Sequence, residues 1–317
     1  MIIKKVLVKI KYHLTELQEK LQNYIDWKLL NFKLNLKNDT WYMICPYGIG
    51  DIYLVCSLAE EFLLKHGGKK IVFLIKKNHL SIKDLFSNKN REFVVLDDFN
   101  MKAFTEHGCF KIGHPFIGHP EFLKPDFVKV LGNNNVNLLS IYKEIFSLSA
   151  NCSLSKPQVS KNLMNASKEK FLSLGLPPNK TVILAPDAKS LDTFPFKFWA
   201  KLSEKLNKMG WVVCINCVQE LVNIIPETIS INFSLNEAIT MVEMAGWVIA
   251  SRSGLCDLIS SANCQLSVIY VKQRWYAGTS FTASSLRLMG LSDKVLEYEF
   301  DKDENMDLMI SQILHPS

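Results

Sequence analysis

The first part of the chain carries apolar residues at alternating spacings of three and four. This spacing places them on one face of a helix. The positions are Ile3, Leu7, Ile10, Leu14, Leu17, Leu21 and Tyr24. No Gly or Pro interrupts the chain before Pro46. The pattern predicts an amphipathic helical arm over residues 1–38.

After Asp39 the pattern changes to short apolar runs that alternate with helical periods. Strands are predicted over 41–45, 71–75 and 93–96, with a turn at 46–50 and a helix over 51–65. Strands that alternate with helices indicate parallel βαβ units. Residues 39–160 are therefore predicted to form a first doubly wound domain.

The alternation restarts beyond a linker at 155–178, and residues 161–317 are predicted to form a second domain. Strands are expected over 181–185, 211–215, 247–250 and 266–271, and helices over 196–209, 234–245 and 255–262. The third of these helices ends in Ala, and the second begins at a capping-box pattern, Ser234 to Glu237. Ligands of such sheets bind at the carboxyl ends of strands, here in the cleft between the halves.

Residues 97–135 are less regular and contain the tripeptide Gly-His-Pro twice, at 113–115 and 118–120. The repeat is typical of an ordered loop near a cleft. His114 and His119 are candidate acceptor contacts, and the alternative is that either histidine is structural or merely exposed.

Charge is distributed unevenly along the chain. The net charge is +6, and residues 1–37 hold eight lysines against three acidic side chains. A basic amphipathic helix suits an anionic membrane surface. Packing on the protein's own body and a coiled-coil dimer seam are the alternatives. The rest of the chain is nearly neutral and lacks a basic, aromatic-rich stripe, which argues against a nucleic-acid partner.

Composition limits the class of protein further. Hydrophobic residues make up 48% of the 317 residues, as expected for a packed globular protein of two domains. No apolar run is long enough to cross a bilayer, and no stretch has the pattern of a signal peptide. The eight cysteines are thus expected to be reduced, buried thiols of a cytoplasmic protein. Cys214 and Cys217 have C-x-x-C spacing, but on a strand that spacing puts them on opposite faces.

The first motif with chemical potential joins the predicted strand 41–45 to the next helix. It contains Tyr47, Gly48, Gly50 and Asp51. The glycines permit a tight turn and a close approach to the backbone. A carboxylate at the mouth of the cleft can accept a proton from an attacking hydroxyl. The alternative is an Asp that only caps the helix. The third glycine of a dinucleotide motif is absent, since Tyr53 stands there.

Two further turns follow strands of the second half. Lys189 and Ser190, with Lys197 at the next helix start, suit a diphosphate near a helix amino terminus. Arg252, Ser253 and Gly254 can offer backbone amides and a bidentate guanidinium to phosphate oxygens, and Asp257 is included among the candidate donor-binding residues. The alternatives are solvated lysines and an ordinary salt bridge from Arg252 to Asp257.

In the order of these motifs, residues 40–275 resemble the ADP-heptose:lipopolysaccharide heptosyltransferase family. The resemblance implies a GT-B fold, with two Rossmann-like domains, and an inverting, metal-independent transfer from a nucleotide-diphosphate sugar. It implies that Asp51 is the base, that Ser253 and Gly254 form the donor turn, and that Lys189 or Lys197 contacts phosphate. The family usually has Asp where this chain has Arg252 and His where it has Asp257. These departures leave a donor other than ADP-heptose open.

The sequence thus predicts a glycosyltransferase that works at the inner face of the cytoplasmic membrane. Its acceptor would be a bacterial surface glycan or glycolipid, such as lipopolysaccharide, lipooligosaccharide or capsule, and no cofactor is expected. One alternative is a nucleotide-sugar epimerase or hydrolase of the same architecture. Another is a non-catalytic glycan-binding relative.

Overall fold

The structure is a computed structural model that describes residues 2–34, 39–97, 116–117, 129–216 and 225–316. The helices of this part are α1 (Ile2–Leu34), α2 (Ile49–His66), α3 (Lys83–Phe86), α4 (Leu138–Ile145), α5 (Lys161–Ser173), α6 (Phe196–Lys208), α7 (Ala238–Ala245), α8 (Gly254–Ile259), α9 (Ser280–Ser284) and α10 (Met306–Leu314). A 3₁₀ helix spans Lys77–Ile82. The strands are β1 (Thr40–Cys45), β2 (Lys70–Ile75), β3 (Arg91–Val95), β4 (Phe116–Ile117), β5 (Thr181–Ala185), β6 (Val212–Ile215), β7 (Ile229–Ser230), β8 (Gly246–Ser251), β9 (Gln265–Val271), β10 (Arg274–Trp275), β11 (Gly278–Thr279) and β12 (Leu296–Phe300).

The amino-terminal arm is one continuous helix, α1. Its described apolar side chains face solvent, and Leu14, Leu17 and Leu21 are each more than half exposed. The structure therefore does not show the alternative in which this face packs against the protein body. Within the described ranges, none of the helices has the length and apolar character needed to span a membrane.

Each half contains a parallel sheet wound in both directions from its first strand. The first sheet has the order β3-β2-β1-β4, and the second has the order β12-β9-β8-β5-β6-β7. All the pairings within these two sheets are parallel. In both halves the chain moves outward from its first strand and then returns to the other side of it. That reversal creates a crevice at the carboxyl ends of the strands.

Alternate residues of the second sheet enter two different cores. Val182 and Leu184 of β5 pack with α6 and α10 on one face. Ile183 and Ala185 face the other way, into a core shared with the first half. This period of two follows from strand geometry. The shared core, together with polar bonds such as Asn236 Nδ2 to Asp84 Oδ2 at 2.6 Å, joins the halves.

Most predicted elements are present, and the differences lie at their ends. Helix α7 begins at Ala238 rather than at 234, because the hydroxyl of Ser234 donates to Glu237 instead of capping the helix. Only the return half of the capping box forms, in which Glu237 accepts the backbone N–H of Ser234 at 2.7 Å. Helix α8 ends at Ile259, three residues early. The domain boundaries at 38/39 and 160/161 stay predictions.

Candidate active site

The carboxyl ends of the central strands carry the motifs of both halves. In the first sheet β1 lies between β2 and β4, and the chain leaves β1 through the turn that contains Gly48. In the second sheet β5 lies beside β8, with Ala185 paired to Ala250. The loops that follow β5 and β8 therefore emerge side by side. These positions are the switch points at which doubly wound sheets bind ligands.

Asp51 is the third residue of α2, because the helix begins at Ile49 and its cap is Gly48. The cap residue supplies no side-chain hydrogen bond. The alternative in which Asp51 serves as the N-cap is therefore wrong. Its half-buried carboxylate instead accepts a hydrogen bond from the hydroxyl of Tyr142, with 3.0 Å between the hydroxyl and Oδ1.

Tyr142 is a site residue that sequence reasoning missed. It lies on α4, where it shares a helical face with Leu139 and Phe146, so its spacing indicates only a core position. Burial raises the pKa of the Tyr142 phenol well above its ordinary value, and the Asp51 carboxylate reinforces the effect. The hydroxyl therefore keeps its proton and acts as a donor to the carboxylate.

The amino termini of α2 and α8 touch across the cleft. A Cβ atom placed on Gly50 would lie 2.6 Å from Asp257 Oδ2 and 3.3 Å from the Cα of Gly254. A Cβ atom on Gly254 would likewise collide with the backbone N of Gly50 and with Ile49. Both glycines are thus required by packing, since neither has a positive φ. The contact brings the turn that follows β1 against the turn that follows β8.

Arg252 lies in the arrangement given above as its alternative, a salt bridge with Asp257. Nη2 donates to Asp257 Oδ1 at 2.6 Å and Nη1 donates to Oδ2 at 3.0 Å. Nε donates to the Ser284 carbonyl at 2.8 Å, and Nη1 also donates to the Ser253 carbonyl. Both side chains are buried. The geometry argues against a direct contact between this guanidinium and phosphate, because protein acceptors already surround it.

Burial alone would lower the pKa of Arg252, but the Asp257 carboxylate, together with Tyr270 and Cys256, raises that pKa above its ordinary value. The guanidinium therefore keeps its charge. Burial raises the pKa of Asp257, an effect that Arg252 opposes and that the nearby Asp51 reinforces. The two carboxylates are close enough to interact across the contact between the halves.

The remaining candidates lie around this contact. Lys189, Ser190 and Lys197 are exposed, on the loop after β5 and in the first turn of α6. Tyr47 and Ser253 are half-buried at the two turns. His114 and His119 lie outside the described residues, as does Cys217. Over the described part of the chain, no three His, Cys, Asp or Glu side chains are grouped as a metal ion would need.

The sequence matches no known family model and no curated protein sequence. The structure, in contrast, resembles solved structures. It matches E. coli ADP-heptose LPS heptosyltransferase II with a TM-score of 0.63 at 14% identity, over 86% of this chain and 97% of that one. It matches a family 9 glycosyl transferase from Veillonella parvula with a TM-score of 0.59 at 13% identity, over 87% and 92% of the two chains. E. coli heptosyltransferase WaaC with ADP gives a TM-score of 0.52 at 11% identity, over 87% and 99%. The predicted resemblance is confirmed for the fold: this chain has the fold of those transferases, with two doubly wound GT-B domains facing a cleft.

Proposed function

We propose that this protein is an inverting, metal-independent glycosyltransferase that uses a nucleotide-diphosphate sugar. The observation that carries the proposal is the carboxylate of Asp51 at the cleft, held by Tyr142 and opposite the switch point of the second sheet. The solved structures of the same fold are transferases by their names. A fold alone does not establish an activity, so the site carries the argument.

In the proposed reaction Asp51 accepts the proton of an acceptor hydroxyl. The hydroxyl oxygen forms a bond to the anomeric carbon while the bond from that carbon to the diphosphate oxygen breaks. The nucleoside diphosphate departs with the bonding electron pair. A single displacement of this kind inverts the anomeric carbon. A positioned base of this type contributes about 10²–10⁴-fold in rate.

The second half would hold the donor. Lys189 and Ser190 lie on the loop after β5 and Lys197 lies in the first turn of α6, and the lysines would offset the charge that develops on the leaving diphosphate. Arg252 and Asp257 would act indirectly, since Arg252 bonds the Ser253 carbonyl and so fixes the turn beside the donor. Cationic side chains would thus do what a divalent metal does in other transferases.

The acceptor would be a bacterial surface glycan or glycolipid that enters from the first half. One of the solved structures of this fold is named for lipopolysaccharide, which favours that class. The arm α1 would bring the enzyme to the membrane that holds such an acceptor. Its exposed leucines would enter the headgroup boundary, and its lysines would meet anionic lipid at the cytoplasmic face.

The substitution Asp51→Asn tests the proposed base. We expect transfer to fall by about 10²–10⁴-fold, because the amide cannot accept the proton. Nucleotide binding should persist, and it can be measured as the rise in melting temperature with ADP, GDP, UDP or CMP. Asp303→Asn, in an exposed turn near the carboxyl terminus, is the matched control. Near-normal transfer by the Asp51 variant would remove this residue from the mechanism.

The proposed metal independence has a separate test. Transfer by the wild-type protein should persist in EDTA, and loss of transfer there would contradict metal independence.

A reaction with donor alone separates the transferase from the rival enzyme class. An epimerase or hydrolase of this architecture needs no acceptor, so it would release epimerised or free sugar from the donor. The proposed transferase would leave most of the donor intact under the same conditions.

A further inference from the structure

His79 is a half-buried side chain that the proposed mechanism leaves unused. It lies in the 3₁₀ helix that follows β2, and its backbone N–H donates to the Lys76 carbonyl at 3.0 Å. Its Nδ1 atom is shielded from solvent and has no hydrogen-bond partner among the residues that the structure describes. A buried polar atom without a partner destabilises the folded protein, because it loses its hydrogen bond to water. Such a group indicates a missing ligand when it faces a binding cleft.

The position of His79 meets that condition. Strands β1 and β2 are parallel neighbours, so the residues after β2 emerge beside the turn that leads to Asp51. The charge of Lys189, on the loop after β5 of the other half, lowers the pKa of the ring. Strand order thus places His79 beside the turn of the candidate base, and a lysine of the second half acts on its ring.

The charges around the ring describe the ligand that it would accept. Burial lowers the pKa of His79, and the ammonium groups of Lys189 and Lys76 lower it further, while Asp51 opposes them. Among the residues that the structure describes, Lys189, Lys76 and Asp51 are the charged groups that act on the imidazole. Two cations beside a ring nitrogen that has no hydrogen-bond partner among the described residues favour the binding of an anion. A phosphate group would pair with both lysines and accept a hydrogen bond from the ring.

We propose that His79 binds a phosphate oxygen of the nucleotide-sugar donor, so that both halves of the protein hold the diphosphate. This inference rests on the proposed function. Without a donor, the lowered pKa of His79 favours the neutral ring at pH 7. An arriving diphosphate offsets the two lysines and favours the imidazolium. The ring therefore takes one proton from solvent on binding, and Nδ1–H donates to the phosphate oxygen.

Calorimetric titration tests this proposal with ADP, GDP, UDP, CDP and inorganic diphosphate as probes. Each titration is run at pH 7 in two buffers of different ionisation enthalpy, which reveals proton uptake. For the wild-type protein we expect proton uptake and an affinity that rises as pH falls from 8 to 6. His79→Leu should bind at least tenfold more weakly and without proton uptake, since a charge-assisted hydrogen bond is lost.

Two further variants make the result specific. His79→Asn places an amide nitrogen near the position of Nδ1, so it should regain part of the affinity and none of the proton uptake. His315→Gln, at an exposed position near the carboxyl terminus, should match the wild type in both measurements. Melting temperatures without ligand establish that each variant is folded, and the Asn variant keeps the test valid if the Leu variant is not.

The outcomes separate this inference from the proposed function. A nucleoside diphosphate that binds the wild type and His79→Leu with equal affinity and equal proton uptake would overturn the role of His79 alone. Failure of every probe to bind the wild type would overturn both.

Discussion

At the scale of single residues, the candidate site depends on two hydrogen-bonded pairs, Tyr142 with Asp51 and Arg252 with Asp257. In the first pair the phenol donates to the carboxylate that would act as base. In the second, a bidentate ion pair is closed off from solvent. Removing one partner of a buried ion pair typically costs about 3–5 kcal/mol, so Arg252 is a structural requirement before it is anything else.

The substitution Tyr142→Phe tests the first pair. The ring still fills the core, while the donor that orients the carboxylate is lost. We expect kcat to fall about tenfold or more, because a hydrogen bond to a charged group is worth about 1.5–3 kcal/mol. The donor KM should stay unchanged, since Tyr142 does not lie on the donor side.

Tyr298→Phe, on β12 at the edge of the second sheet, is the control for loss of a buried phenol hydroxyl. A fall in stability with no change in kcat would make Tyr142 a core residue only.

At the scale of elements, the decisive feature is the contact between the amino termini of α2 and α8. Each helix brings a glycine to the contact, Gly50 from one and Gly254 from the other. The absence of side chains lets two polar turns from different sheets approach each other. A side chain at either position would collide with the other turn.

Gly50→Ala tests that contact. The new methyl group would meet Asp257 Oδ2 at 2.6 Å, and Asp257 cannot yield easily because Arg252 holds both of its oxygens. We expect the free energy of unfolding to fall by about 1–3 kcal/mol, as overpacking does, measured by urea denaturation.

Gly48→Ala is the matched variant, since its methyl group would meet only Asp51 Oδ2, at 3.8 Å. It should change the free energy of unfolding by less than about 1 kcal/mol, because only the cap residue changes. Equal stability of the two variants would mean that the helices do not approach as closely as described.

At the scale of the whole molecule, a nearly neutral two-domain body carries a basic arm with an exposed apolar face. The leucines of α1 at positions 14, 17 and 21 are exposed, and the lysines of residues 1–37 supply most of the net charge. Exposed apolar side chains grouped on one face of a helix are typical of an interaction site. The arm and the body would thus have separate tasks.

Changing Leu14, Leu17 and Leu21 together to Gln tests the arm while keeping its charge. We expect partitioning onto vesicles of phosphatidylglycerol and phosphatidylcholine to fall at least tenfold, because burying each leucine contributes about 1.5–3 kcal/mol. Sedimentation with vesicles measures the change, and deletion of residues 1–37 gives the lower limit. Vesicle binding that does not change, with a halved mass in light scattering, would instead identify a coiled-coil dimer seam.

The sequence determined the local structure of this protein, because strand and helix periods are set by the residues themselves. Apolar runs predicted the strands β1, β5 and β8, and helical spacing predicted the helices α2 and α6. The Gly-Asp turn was predicted from its own residues. The ends of the elements were harder to predict. At Ser234 the hydroxyl donates to Glu237, and the predicted capping bond from the helix does not form.

Only the tertiary structure decided which groups meet. Tyr142 stands 91 positions from Asp51, and its helical spacing gave no sign that its hydroxyl would reach a carboxylate. Arg252 could have faced a ligand or Asp257, and burial resolved the choice in favour of the ion pair. His79 belongs to no sequence motif, and only the strand order brings it beside the turn of Asp51. The physical reason is the same in each case: contacts between distant residues depend on how the sheets pack, and no local pattern records that packing.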